Sequence, residues 1–336
     1  MGTIIDLRSD TVTSPSRAML EAMTSAVTGD DVYGEDPTVN ALEEYAAELT
    51  KKEKALFVTS GTQGNLTSIL SHCGRGDEYI AGSDAHTYKY EAGGAAVLGS
   101  VQPQPVPFNS RGEIPLDLVQ QAIKPLDHHF AKTKLLCLEN TKAGKVLTLD
   151  YLSKAREITM RTGLRLHLDG ARAFNAAVKL EVPISEITKH VDSCSLCLSK
   201  GLGAPMGSVL VGDASLIDRA RKWRKMLGGG MRQAGIMAAA GLFALKNHVS
   251  GLAEDHKKAA SFSEGLQGLK TIGLQDEPQT NMVMLRASDE VLDGLKKFLQ
   301  EHNVLISSER LVFHRDISIQ SSAYLLELFE RYDASQ

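Results

Sequence analysis

Cysteine is scarce, with four in 336 residues, too few and too apolar in setting for a disulfide framework. Cys194 and Cys197 have the spacing of metal ligands, but their run reads as a buried strand, where residues three apart point to opposite faces. Cys73 and Cys137 add no second pair of that spacing, so core thiols rather than a metal centre are expected. Long apolar runs are also missing. No uninterrupted stretch reaches the about 20 residues of a membrane span, and residues 1–10 are charged where a secretory signal would be apolar. Charge of one sign is absent too: a net charge of -4 gives no general attraction to nucleic acid or anionic membrane. A cytoplasmic protein without membrane or nucleic-acid partners is expected. There is no internal repeat, low-complexity tract or proline-rich linker.

What is present is an ordinary globular composition, 43% hydrophobic and 23% charged, in a chain longer than one core usually serves. The pattern alternates helices with short strands. Ser14-Pro15-Ser16 opens one helix and Asp36-Pro37 another, the latter with Val39, Leu42, Ala46 and Leu49 on one face. Residues 55–58, 135–138 and 208–211 read as strands, separated by helical patterns at 116–123 and 152–162. This predicts an α/β fold, a mostly parallel sheet covered on both faces. Beyond about residue 247 the texture changes to an amphipathic helix through His256 and Leu266, then strands at 282–286, 304–307 and 311–314. The expected organisation is a large domain over 1–246, with the N-terminal segment, and a smaller α+β domain over 247–336.

Chemistry enters at two strand ends. Leu164-Arg165-Leu166-His167-Leu168-Asp169-Gly170-Ala171-Arg172 alternates and then delivers Asp169 at a small-residue turn. A second alternating run, 193–198, leads to Ser199-Lys200-Gly201-Leu202-Gly203, a lysine where glycines allow close backbone approach. A carboxylate and a lysine so placed suit pyridoxal 5'-phosphate: the lysine forms the Schiff base and the carboxylate keeps the pyridine nitrogen protonated. A surface lysine and a turn aspartate would read the same way in isolation. A third element makes the pair more telling. Thr59-Ser60-Gly61-Thr62-Gln63-Gly64-Asn65 lies between a strand and an apolar helix expected near Leu66, where free N–H groups and the helix dipole favour a phosphate. The pattern is neither a P-loop nor a dinucleotide fingerprint. His86, before Gly93-Gly94-Ala95-Ala96, is placed to stack on a pyridine ring, His129 precedes a strand, and His167 reads as structural.

Six segments together resemble one family: Asp6-Leu7-Arg8-Ser9-Asp10-Thr11-Val12-Thr13, Asp30-Asp31-Val32-Tyr33-Gly34, Ser60-Gly61-Thr62-Gln63, His167-Leu168-Asp169-Gly170-Ala171-Arg172, Leu198-Ser199-Lys200-Gly201-Leu202-Gly203 and Gly228-Gly229-Gly230-Met231-Arg232-Gln233. In order and over nearly the whole chain, they are similar to the low-specificity L-threonine aldolases, fold-type I enzymes of the aspartate aminotransferase superfamily. The resemblance implies Lys200 as the aldimine lysine, Asp169 on the pyridine nitrogen, Gly61 and Thr62 on the phosphate, and His86 on the ring. It also implies His129 near the substrate hydroxyl, and Ser9, Arg172 and Arg310 on the substrate carboxylate, with Arg315 a rival to Arg310. Lys225 and Arg232 would reach the phosphate of a neighbouring subunit, with Tyr33 beside that shared site, in a homodimer or homotetramer. One departure stands out: after Glu139-Asn140-Thr141 the family usually continues His-Asn, where this chain has Lys142-Ala143.

The activity so implied is retro-aldol cleavage of L-threonine, L-allo-threonine and related β-hydroxy amino acids to glycine and an aldehyde, through an external aldimine and a quinonoid. His86, His129 or an ordered water would be the base. A transaminase or β-eliminating lyase would use the same lysine, aspartate and phosphate turn. The basic cluster Arg219, Arg221, Lys222, Arg224, Lys225 and Arg232 around Trp223 has the composition of a nucleic-acid patch, but in a chain of negative net charge it reads as a helix at a subunit interface.

Overall fold

The computed structural model describes residues 4–336. After β1 (Ile5–Asp6), seven strands build a central sheet: β2 (Lys54–Val58), β3 (Asp77–Gly82), β4 (Gln102–Val106), β5 (Lys132–Glu139), β6 (Arg165–Gly170), β7 (Ser193–Cys197) and β8 (Ser208–Gly212). Their order is β2-β8-β7-β6-β5-β3-β4. Four neighbouring pairs are parallel, and β8 alone runs against both of its neighbours. Alternation decides which face each side chain joins. Phe57, Leu136, Leu168 and Val209 enter the largest core cluster, while Leu56, Val58 and Leu210 face the opposite side. Both faces are covered by helices, so every residue of β7 and β8 is buried.

Helix starts follow the polar caps. Ser16 accepts from the Met19 N–H, Asp36 from those of Thr38 and Val39, and Ser60 from that of Gln63. The Ser60 cap begins a helix at Gly61–His72, earlier than the expected start near Leu66. Gly61, Thr62, Gln63 and Gly64 carry no apolar periodicity, so the first turn was invisible to pattern. That helix lies close on the sheet because Gly64 has no side chain: a Cβ there would come within 2.4 Å of Ser195 Oγ. Strands β3 and β4 escaped the sequence reading as well. The second contains Pro103 and Pro105, which a strand tolerates at the sheet edge that β4 occupies.

The C-terminal unit adds β9 (Gly273–Asp276), β10 (Met282–Arg286), β11 (Val304–Leu305) and β12 (Arg310–Val312). Strands β12-β10-β9 form an antiparallel sheet, and β1 pairs in parallel with β11. Here the structure corrects the expected grouping of the N-terminal segment with the large domain. Ile5 and Leu7 pack into the C-terminal core with Phe262, Phe313 and Phe329, and the Val312 N–H donates to the Leu7 carbonyl at 2.9 Å. The physical reason is the unpaired edge of β11, which β1 completes. The chain then runs from that core toward the strand ends of the large sheet, carrying Ser9 and Asp10 with it. Leu7 is fully buried, so Leu7→Ala is expected to destabilise the protein by about 2–5 kcal/mol, measured by denaturant unfolding, although the residue lies close to the chain terminus.

Candidate active site

Parallel strands end on one edge of a sheet, and loops there collect functional groups. Register puts Glu139 at the end of β5 directly beside Asp169 on β6, and Asp169 beside Ser195 on β7. Asp169 is 4% exposed. Its Oδ2 accepts from Asn65 Nδ2 at 2.8 Å and its Oδ1 from the Ala171 N–H at 3.0 Å. Lys200 follows β7 in a turn anchored by its own carbonyl, which accepts from Thr13 Oγ1 at 2.8 Å. Its ammonium lies within electrostatic reach of Asp10 and His86. Gly61 and Thr62 open the helix Gly61–His72, whose buried residues include Asn65. One helix thus offers N–H groups at its tip and an amide to Asp169 from its second turn.

His86 lies near this carboxylate, with Glu91 beside both. Its N–H donates to Glu139 Oε2 at 2.8 Å, and its Nδ1 lies 2.7 Å from Glu91 Oε1. The hydrogen bond that its ring donates to Glu91 raises the His86 imidazole above its ordinary value, against burial and with help from Asp169. Burial, joined by the Asp169 charge, raises the Glu91 carboxyl. Glu139 is raised by burial and by Asp169, with Lys142 acting the other way.

A cavity of about 570 Å³ opens beside these groups, lined by His86, Tyr90, Lys142, Arg172 and Arg310 among others. Arg172 grips the fully buried Asp10 with two bonds, Nε to Oδ2 at 2.8 Å and Nη2 to Oδ1 at 2.5 Å. Burial is the largest influence on the Asp10 carboxyl and would lift it, but the charge and hydrogen bonds of Arg172, joined by the charges of Lys200 and His314, together outweigh burial and lower the group. Arg310 reaches the Arg8 carbonyl at 3.3 Å, and its buried Nε has no partner among the described residues. Burial and the Arg172 charge lower its guanidinium. Arg315 instead packs on Gly203 and turns to the Leu202 carbonyl and His248. Of the two rival arginines, Arg310 is the one in the cavity. Lys142 stands on the cavity wall, bonded to the Asp84 carbonyl and 3.5 Å from Glu139 Oε1.

Other sequence candidates lie apart from this cavity. Ser9 is turned inward to cap the short helix Asp10–Val12, accepting from Thr11, and so acts on the loop that presents Asp10. His129 lies on an exposed segment, its Nδ1 2.6 Å from Asp127 Oδ1, and does not line the cavity. Tyr33 is 75% exposed. Arg232 bonds Asp30 at 2.9 Å while its carbonyl accepts from the Asp31 N–H, so Tyr33 and Arg232 belong to one surface patch. Lys225 lines a separate cavity with Arg221, Arg224 and Asp31. Besides Arg232, half of the basic cluster bonds back to the protein: Arg219 to the Ser71 carbonyl, Arg221 to Glu43, and buried Arg224 to Asp31 and the Phe57 carbonyl.

Sequence reasoning missed Asp10, Asn65, Glu91, Glu139 and Lys142 as working parts. Asn65 and Asp10 lay inside quoted segments, and a polar amide in an otherwise apolar helix was the available signal. Glu139 needed the register of β5 against β6. Glu91 had no signal at all, because five residues from His86 is neither a helical nor a strand spacing.

The profile of the beta-eliminating lyases matches residues 6–290. The low specificity L-threonine aldolase of Escherichia coli K12 is 56% identical over 95% of this chain and 96% of that relative. Low-specificity L-threonine aldolase 1 of Arabidopsis thaliana is 44% identical over 97% of this chain and 96% of its own. Among solved structures, a threonine aldolase of Leishmania major superposes with a TM-score of 0.84, covering 98% of this chain and 99% of the other at 20% identity. That likeness shows the fold, the fold-type I arrangement of pyridoxal phosphate enzymes.

The Asp10–Arg172 pair has a measurable signature. A carboxyl held below its unfolded value stabilises the fold above the unfolded value, and that contribution is lost as pH falls through the folded one. Asp10→Asn is expected to cost about 3–5 kcal/mol near neutrality, because it leaves the Arg172 charge uncompensated. The deficit should shrink in acid, read from denaturant unfolding at several pH values.

Proposed function

The chain belongs to the beta-eliminating lyase family and, within it, to the low-specificity L-threonine aldolases, and on that premise we propose that it cleaves L-threonine, L-allo-threonine and related β-hydroxy amino acids to glycine and an aldehyde with pyridoxal 5'-phosphate. The observation that carries this reading is the convergence of Asp169, Lys200 and the Gly61 helix tip beside a cavity containing Arg172 and Arg310. The donor set fits the cofactor: a buried carboxylate for a protonated ring nitrogen, an amine for its carbonyl carbon, and a helix N-terminus for its phosphate. The unpartnered, buried Arg310 Nε suits a carboxylate ligand that the chain itself does not supply.

When bound, the cofactor supplies an electron sink for the pair released as the Cα–Cβ bond breaks. The protein's residues do the rest. Arg310, with the donors of Arg172 that Asp10 leaves free, holds the substrate carboxylate. Fixing that carboxylate decides which Cα bond is aligned for cleavage. Asp169 keeps a proton on its partner nitrogen, and His86 takes the β-hydroxyl proton. Lys142 and Ala143 border the space in which the departing aldehyde sits. Sites shared between two copies follow from Tyr33, Lys225 and Arg232, which belong to one chain's outer surface and serve its partner's phosphate. The assembly is a homodimer or a pair of such dimers. The four unpaired thiols suit the reducing cytoplasm.

Purified protein is expected to be yellow and to convert threonine to glycine and acetaldehyde, with Lys200→Ala inactive. Pyruvate or a keto acid as the product would instead assign elimination or transamination. Arg172→Lys and Arg310→Lys should each lose about 2–4 kcal/mol of transition-state binding in kcat/KM, whereas Arg315→Lys should not. Sharing of sites is read by subunit exchange. Lys200→Ala and Arg232→Ala, mixed equally and reassembled, should recover roughly a quarter of wild-type activity from the intact site of each mixed dimer. Recovery no greater than the parental average, with exchange demonstrated, would place Arg232 outside the partner's site.

A further inference from the structure

The amide of Asn65 lies between two carboxylates. Its Nδ2 donates to Asp169 Oδ2 and to Glu91 Oε1, both at 2.8 Å, and the residue is 2% exposed. This fixes which way the amide points, because its oxygen turned toward either carboxylate would meet only lone pairs. The Asn65 oxygen therefore faces His167 Nε2, at 3.1 Å. Burial pushes the His167 imidazole down to about 3, so it is neutral and carries one ring proton. That proton must be on Nε2 to satisfy Asn65, while Nδ1 has one lone pair for a hydroxyl of Ser68 or Ser193, each 2.9 Å away and bonded to the other. A neutral histidine thus locks an amide, and the amide locks two acids.

The second acid continues the chain. Glu91 Oε1 also faces His86 Nδ1 at 2.7 Å, and the carboxyl is 8% exposed. Asn65 already donates to that oxygen, so the Nδ1 proton is the matching partner, and Nε2 is the ring nitrogen left for a ligand. We propose that Glu91 is the positioning residue for His86: by accepting the Nδ1 proton it sets the imidazole's tautomer and leaves the Nε2 lone pair to take the β-hydroxyl proton of the substrate. This rests on the aldolase reading above and deepens it. The groups that bear on His86 are Glu91, Asp169 and Lys200 through their charges, Glu139 through the backbone N–H, and the Tyr90 ring at 5.9 Å. Among these, Glu91 alone bonds to the ring itself.

Glu91→Gln tests this, because its carbonyl oxygen can accept both existing hydrogen bonds while the charge is removed. In the holoenzyme, kcat for threonine cleavage should fall about three- to tenfold on the pH plateau, as a weakened base gives up part of its contribution. KM should stay nearly constant. The acidic limb of the kcat profile should move to lower pH, because the imidazolium loses the anion that favours it. In a His86→Gln background the same substitution should change kcat little, since the group it acts through is gone. An unchanged kcat and acidic limb, or an equal loss in both backgrounds, would overturn the assignment. An independent readout needs no variant at Glu91. Nitrogen-15 spectra of histidine-labelled protein, with His86 assigned by its loss in His86→Gln, should show Nδ1 protonated and Nε2 bare once the pH is above the imidazole's titration, which Glu91 raises. The opposite tautomer would refute the proposal whatever reaction the protein performs, which separates its failure from failure of the aldolase reading.

Discussion

A carboxylate at the end of a buried strand must have its lone pairs satisfied, and Asp169 is the group around which this molecule meets that demand. Leaving such a group unpaired in the interior would cost several kcal/mol. The Ala171 N–H takes one oxygen and the Asn65 amide the other. Satisfying Asp169 therefore requires the helix Gly61–His72 to lie against the sheet, and Gly64 permits that approach. The same placement sets Gly61, at the helix tip, beside Ser208 of β8, which pairs with Cys197 at the end of β7.

Charge compensation extends outward from there. Glu139 and Asp169 are register neighbours, so two acids stand side by side at the sheet edge. His86, Lys142 and Asn65 occupy the space around them, as donors or cations. Burial and the Asp169 charge lift Glu139 and Glu91, and the carboxylate of Glu91 favours a proton on His86. Asp10 behaves in the opposite way, because its partner is a guanidinium held by two bonds rather than another acid. The electrostatic design divides accordingly: a proton-holding cluster on one side of the cavity and a cationic clamp on the other.

The C-terminal unit gives the cavity its second wall, with Met282, Met284 and Arg310, and the N-terminal segment braces Arg172 from behind. Strand β1 is anchored in the C-terminal core, and within a few residues the chain delivers Asp10 to Arg172 of the large sheet. Arg310 comes from β12 of that same C-terminal unit. The two arginines of the cavity thus come from both units of the fold, with the N-terminal strand as their connection.

Local pattern was enough for much of this. Alternation marked β6 and β7, polar caps marked the helix starts at Ser16 and Asp36, and glycine next to lysine marked the turn of Lys200. These are signals written within a few residues, where side-chain period and backbone freedom act directly. The family was legible for the same reason, since its segments are short and contiguous. Tertiary structure decided the rest. Register brought Glu139 to Asp169, a helix laid across the sheet carried Asn65 to two acids, and a loop without periodicity returned Glu91 to His86. It also put Arg310 rather than Arg315 on the cavity wall, because β12 carries the first toward the cavity while the second lies beyond the strand's end, where Gly203 and Leu202 receive it. Such contacts join residues far apart in the chain, and a sequence read in windows holds no term for them.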